Sequence, residues 1–236
     1  MEQKKYIIST AKEDELKIVD IYGKDHILHR IIAVEDIYKG YEIIIPKGLK
    51  GGYVESEKNL SQEGFCWIYD NAKVYGNATV EDWGRVFENA EVFDNACIYD
   101  NAVVHNNAKV YGNADLFYYS GAKGNSRIHG DARLDSWARI YEDAEIFESA
   151  NISGNACIAG RAKVSGNAKV SENANIHGGA KVSNNARISG EAEISGFAQV
   201  GENAVISGKA QVFGNAKITN KEIDKGLYFN SEGEAE

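Results

Sequence analysis

Apolar positions recur every six residues along most of this chain. From Ile68 to Ile218 an aliphatic side chain stands at each sixth position, beginning Ile68, Val74, Val80, Val86, Val92, with no insertion or deletion and one lapse, at Ala122. Two residues before each aliphatic stands a small residue, usually Ala; the departures are Cys66, Gly84, Ser120 and Ser126. A period of six matches no face of an α-helix, which turns every 3.6 residues. It fits a short strand followed by a tight turn. In Ala-x-Val the two named residues lie two apart, so both face one side of a strand. The pair that follows, often Gly-Asn, Asp-Asn or Glu-Asn, is turn chemistry, because Gly and Asn adopt a left-handed backbone readily. Each hexapeptide thus makes one side of a coil, and three make a triangular turn. The predicted fold class is all-β: a left-handed parallel β-helix of about eight coils, with Val and Ile filling the faces, Ala the narrower corners, and Asn stacked in ladders.

The ends depart from the period. Residues 1–65 show strand-like runs at 6–9, 16–21, 27–34 and 41–45, then Pro46 and the glycine-rich KGLKGGYVESE. This stretch predicts a small β-rich cap over the first coil, since an uncovered coil is an open sheet edge. Residues 66–219 form the repeat. Residues 220–236 predict a second cap, with Gly226–Phe229 folded over the last coil and the acidic SEGEAE end frayed.

Composition narrows the function classes. The longest aliphatic run, Ile43-Ile44-Ile45, is far too short to span a membrane, and the N-terminus has no signal-like apolar stretch. A net charge of −9 argues against general nucleic-acid binding. Three cysteines are too few for a disulfide scaffold and point to a reducing, cytoplasmic setting. Glycine is abundant at 24 residues and proline occurs once. That pairing suits a continuous ladder, which needs every interior N–H.

Candidate chemistry lies at the outward positions. His105, His129 and His177 follow the aliphatic and point outward, without an inserted loop beside any of them. Cys97 and Cys157 fall on different faces, so neither a disulfide nor a metal site is expected. The same outward position carries Tyr69, Tyr75, Phe87, Phe93, Tyr99, Tyr111, Phe117, Tyr141 and Phe147 in the early coils. Later it carries serines, with Ser153, Ser171, Ser189 and Ser207 in one column. The early coils are acidic and the late ones mildly basic. Exposed aromatic area marks interfaces, so Tyr75, Phe93, Tyr99, Tyr111, Phe117 and Phe147 are expected to form a homo-oligomer contact, a trimer being favoured. Sorting the turns by corner isolates Trp83, Tyr119 and Trp137, which replace Asn along one edge. With Tyr118, Asp82 and Arg133 they form the expected partner or ligand site. A bulky residue in a left-handed turn implies either strain or a changed turn.

The segments LHRIIAVEDI (28–37) and KGGYVESEKNLSQEGFCWIYDNAKVYGNA (50–78) resemble a group of phage- and prophage-encoded hexapeptide-repeat proteins, over nearly the whole chain. The resemblance implies a cap-and-repeat organisation, carries no catalytic residues, and suggests a bacterial host cytoplasm and a part in modulating host defence. The expected function is therefore non-enzymatic binding, to itself or to a host protein, without cofactor or metal. Two alternatives stand beside it. One is sequestration of a nucleotide-like ligand at the Trp83–Tyr119–Trp137 edge. The other is hexapeptide-type acyl transfer using His105, His129 or His177.

Overall fold

A computed structural model describes residues 4–230 and 233–235. The hexapeptides form a parallel β-solenoid of about ten coils, a little longer than the repeat alone predicts. Every third strand joins the same sheet, so the coil has three sides. Face I runs from Lys73–Val74 to Lys217–Thr219. Face II runs from Thr79–Val80 to Glu222–Ile223, and face III from Trp67–Ile68 to Leu227–Asn230. Neighbouring coils are held by ladder bonds such as Tyr69 N–H to the Val86 carbonyl at 2.8 Å and Lys73 N–H to Ala90 at 2.9 Å. Ala and the aliphatic of each repeat are buried, and the two outward positions flank the aliphatic.

The corners explain both the glycine and the acidity. The first turn residue of each corner has a left-handed backbone, for example Asp70 at φ 54°, Gly76 at 67° and Glu88 at 60°. At most corners where that residue is acidic, its carboxylate accepts the backbone N–H of the corresponding residue in the next coil; Glu88 and Glu202 accept from an Asn side chain instead. Asp70 accepts from Glu88 at 3.1 Å, Asp94 from Gly112 at 3.1 Å and Glu148 from Gly166 at 2.6 Å. A good part of the negative charge of the early coils is thus committed to backbone groups that the ladder leaves over. The second turn residue carries the predicted ladders: Asn77 donates to Asn95 at 3.1 Å, Asn95 to Asn113 at 2.9 Å and Asn113 to Asp131 at 2.8 Å.

Six strands precede the repeat: β1 (Tyr6–Ile8), β2 (Glu15–Val19), β3 (Asp25–Ala33), β4 (Ile37–Lys39), β5 (Glu42–Ile45) and β6 (Lys50–Val54). The solenoid begins earlier than the period indicates. β6 pairs in parallel with Lys73–Val74, and Leu60 bridges Val80, so residues 50–65 form an irregular first coil. Gly51 and Gly52 make that close approach possible. A Cβ on them would lie 2.6 Å from Ile31 Cγ1 and 2.4 Å from Ile68 Cγ2. β3 pairs antiparallel with β6, and β1 and β2 pair with the two halves of β3. Lys5 is buried at this end, donating to the Glu63 carbonyl at 3.0 Å and the Cys66 carbonyl at 3.2 Å.

The N-terminal region is more than an end cap. The β2–β3 hairpin lies over face I, where Leu16, Ile18, Leu28 and Tyr53 pack on Tyr75, Phe93 and Tyr111. Tyr75 and Phe93 are thereby fully buried within the chain. They are not available as the oligomer contact predicted for them. Sequence periodicity marked them as outward from the coil, which is correct, but could not show that another part of the chain covers them.

The C-terminal end also continues the solenoid. Glu222–Ile223 and Leu227–Asn230 pair in parallel with Val205–Ile206 and Gln211–Val212. Gly233–Ala235 returns antiparallel to Leu227–Asn230, where a frayed tail was expected. Residues 231, 232 and 236 of that tail lie outside the described residues.

Candidate functional site

The outward aromatics stack, because strands in register place like positions one strand spacing apart. On face I, Tyr75, Phe93 and Tyr111 are followed by His129 and Phe147, with centroids 5.0, 4.9, 4.7 and 5.4 Å apart. Tyr99 and Phe117 stack on face II at 5.1 Å, and Tyr69 and Phe87 on face III at 4.4 Å. Of the predicted oligomer set, Tyr99, Tyr111, Phe117 and Phe147 remain partly exposed.

The corner between faces II and III holds the most exposed rings of the repeat's early half. Tyr119 and Trp137 stack at 4.2 Å with planes 5° apart. Their exposures are 49% and 48%, and that of Tyr118 is 53%. The feared backbone strain falls on a different residue. Tyr119 and Trp137 occupy the second turn position, while the left-handed residues are Tyr118, at φ 53°, and Ser136, at 58°. The second position is not left-handed, so of the three aromatics only Tyr118 bears the left-handed penalty.

Trp83 shares this edge but not this site. The coil carrying Asn101 separates it from Tyr119. Its ring packs on Phe65 at 4.0 Å, with Lys39 Nζ 5.1 Å from its centroid, so it closes the first coil against the N-terminal region. Asp82 belongs to the corner column: its carboxylate meets the Asp100 N–H at 3.5 Å, and Asp100 accepts from the Tyr118 N–H at 3.2 Å. Arg133 lies on face II, 5.6 Å over Phe117 and 3.6 Å from the Asp115 carboxylate. The predicted site thus resolves into an exposed edge, Tyr118–Tyr119–Trp137, flanked on face II by Tyr99, Phe117 and Arg133.

The three outward histidines have separate surroundings. His129 is stacked between Tyr111 and Phe147 with Nε2 3.4 Å from Glu145. His177 pairs with Glu193 at 2.9 Å. His105 lines a cavity of about 260 Å³ on face III, together with Val103, Tyr119, Lys123, Arg139 and Tyr141. Burial, aided by Lys123, holds the His105 imidazole below its ordinary pKa, which keeps it neutral at neutral pH. Ser120 and Ser126, the departures from the small-residue rule, are buried, and their hydroxyls find no partner among the described residues. The cysteines are free. Among the described residues, no group of three or more His, Cys, Asp and Glu is arranged to hold a metal ion. No described helix is long and apolar enough to cross a membrane.

Two features of the N-terminal region escaped the sequence reading. Tyr38, Tyr41 and Ile43 of the β4–β5 hairpin are exposed, Tyr41 completely. A larger cavity, about 640 Å³, lies between the β2–β3 turn and the corner that follows face I. Its polar groups mostly satisfy one another. His26 Nδ1 lies 3.0 Å from Glu55 and Nε2 3.1 Å from Asp20. Glu55 also accepts the Gly76 N–H at 2.8 Å, and the Tyr22 hydroxyl donates to Asp94 at 3.1 Å. This arrangement latches the hairpin to the solenoid. The spacing of Asp20, His26 and Glu55 in the chain gives no hint of it, because three separate strands or turns bring them together.

No family model matches the chain, and no curated protein matches it.

Proposed function

We propose that this protein is a non-catalytic binding scaffold that presents the Tyr118–Tyr119–Trp137 edge to a protein surface, either a second copy of itself or a partner. The observation that supports this most is the exposure of three adjacent large rings, about half of each; Tyr119 and Trp137 stand where the repeat often places Asn, and Tyr118 where it places Gly or an acidic residue. The solenoid backbone does not require them, and rigid aromatic side chains with few rotatable bonds are the groups that anchor interfaces. Tyr99 and Phe117 on the adjoining face extend the apolar surface, with Arg133 at its margin. Tyr75 and Phe93 are excluded from it. Among the assembly states, a trimer through the edges is the form we favour. The likeness of the cap and junction segments to phage proteins supports a host protein as the partner and host defence as the process.

The Tyr119→Asn/Trp137→Asn double variant tests this reading. Asn restores the repeat, so the fold should persist by circular dichroism. Sedimentation of the wild type should show self-association or co-sedimentation with captured protein, and the variant should lose it. A wild type that stays monomeric at high concentration, with identical captures by both proteins, would sink the proposal.

A further inference from the structure

Face III contains an incomplete aromatic ladder. The outward column after the aliphatic reads Tyr69, Phe87, His105, Lys123, Tyr141, one residue per coil. Elsewhere the stacked pairs in such columns lie 4.4 to 6.0 Å apart. At Lys123 the rung has no ring, while the coils on either side supply His105 and Tyr141. Two strand spacings separate those neighbours, roughly 9.6 Å, which is the room one planar ring takes between two others.

The neighbouring outward position leaves this gap open. Gly121 is the other outward residue on the same strand. A Cβ there would meet only the Val103 carbonyl, at an ordinary 3.5 Å, so packing does not demand glycine. Its effect is to leave the wall open. The resulting cavity, about 260 Å³, has no acidic residue in its lining. Lys123 and Arg139 border it and make no ion pair among the described residues, whereas Arg127, Arg133 and Lys163 each face a carboxylate. Two acids of the corner that follows face III are engaged: Glu142 accepts the Gly160 N–H at 2.7 Å, and Glu88 accepts from the Asn106 side chain.

We infer that this gap is a binding site for a planar aromatic anion, a ring of nucleobase size bearing a phosphate or carboxylate. The ring takes the empty rung between His105 and Tyr141. Lys123 swings out of the rung and, with Arg139, meets the anionic group, while Tyr119 borders the mouth. The neutral state of His105 suits a stacking partner. The site adjoins the exposed edge through Tyr119 but is built on face III, and the inference does not rest on the partner-binding reading.

Isothermal titration with adenosine 5′-monophosphate, indole-3-carboxylate and neutral adenosine tests it. At least one of the two anions should bind saturably, and adenosine at least tenfold more weakly than the monophosphate if that is the anion bound. Which anion binds distinguishes phosphate from carboxylate as the charged group. Lys123→Phe completes the ladder, so it should keep or raise the melting temperature while weakening binding at least tenfold. Arg139→Gln, on an exposed side chain, should also weaken binding severalfold and keeps the test open if Lys123→Phe misfolds. Absence of saturable binding by either anion at 5 mM, equal affinity for adenosine, or unchanged affinity in both the Lys123 and Arg139 variants would overturn the inference.

Discussion

At the residue scale, the informative positions are those where one side chain breaks the repeat. Gly84 holds a slot that Ala fills in most coils, and a Cβ there would lie 2.6 Å from the Ile98 carbonyl. Gly84→Ala should therefore destabilise by about 1–3 kcal/mol in chemical denaturation, although Ala is the consensus residue. Ser126 behaves in the opposite sense. Its hydroxyl is buried and unpaired among the described residues, so Ser126→Ala should raise stability by about 1 kcal/mol in the same assay. The serine and glycine departures were visible in the sequence. Their opposite signs were not, because one turns on the distance from a Cβ to a carbonyl in the next coil and the other on a buried hydroxyl without a partner, both set by packing.

At the scale of elements, the decisive contact is between the β2–β3 hairpin and face I. Phe93→Ala should cost about 3–5 kcal/mol, as expected for a fully buried ring. Hydrogen exchange should then show loss of protection in residues 15–29 ahead of the distant coils. Acid should act on the same element. Lys24 N–H, His26 and Tyr22 N–H hold the Asp20 carboxyl below its usual range. Partial burial pushes Glu55 upward, but Gly76 N–H and His26 outweigh it and leave Glu55 lowered. Asp14 is lowered by hydrogen bonds from Lys50 and Ser9. Because these groups titrate lower folded than unfolded, their stabilisation is complete above the unfolded value near about pH 4 and disappears as pH falls through the folded values. Exchange measured from pH 6 down to pH 3 should find the hairpin opening before the coils at 160–200. Uniform loss across the chain would contradict the latch.

At the scale of the molecule, the solenoid is close to one-dimensional, since each coil touches only its neighbours. Damage should stay local. Gly208, at φ 59°, faces the Asp224 carbonyl, and a Cβ would approach it to 2.0 Å. Gly208→Ala should open residues beyond about 205 while the hairpin and first coils keep their exchange protection, a pattern that native-state exchange resolves. The same geometry gives the molecule its binding design. A rigid prism keeps an edge such as Tyr118–Tyr119–Trp137 in place without support from loops.

The six-residue period by itself determined the coil, its three sides, the buried Ala and aliphatic columns, the Asn ladders and the column on which each His, Cys and aromatic of the repeat stands. It could do so because register in a parallel solenoid is set by local spacing, and stacking merely repeats it. The tertiary structure alone decided what covers those columns. It buried Tyr75 and Phe93 under the hairpin, drew Trp83 into contact with Phe65, and joined Asp20, His26 and Glu55 into a latch. It also turned a lysine flanked by Gly121 and two aromatic rungs into a cavity. These outcomes depend on contacts between non-periodic segments and the coil. Such contacts are fixed by long-range packing and leave no spacing in the chain to read.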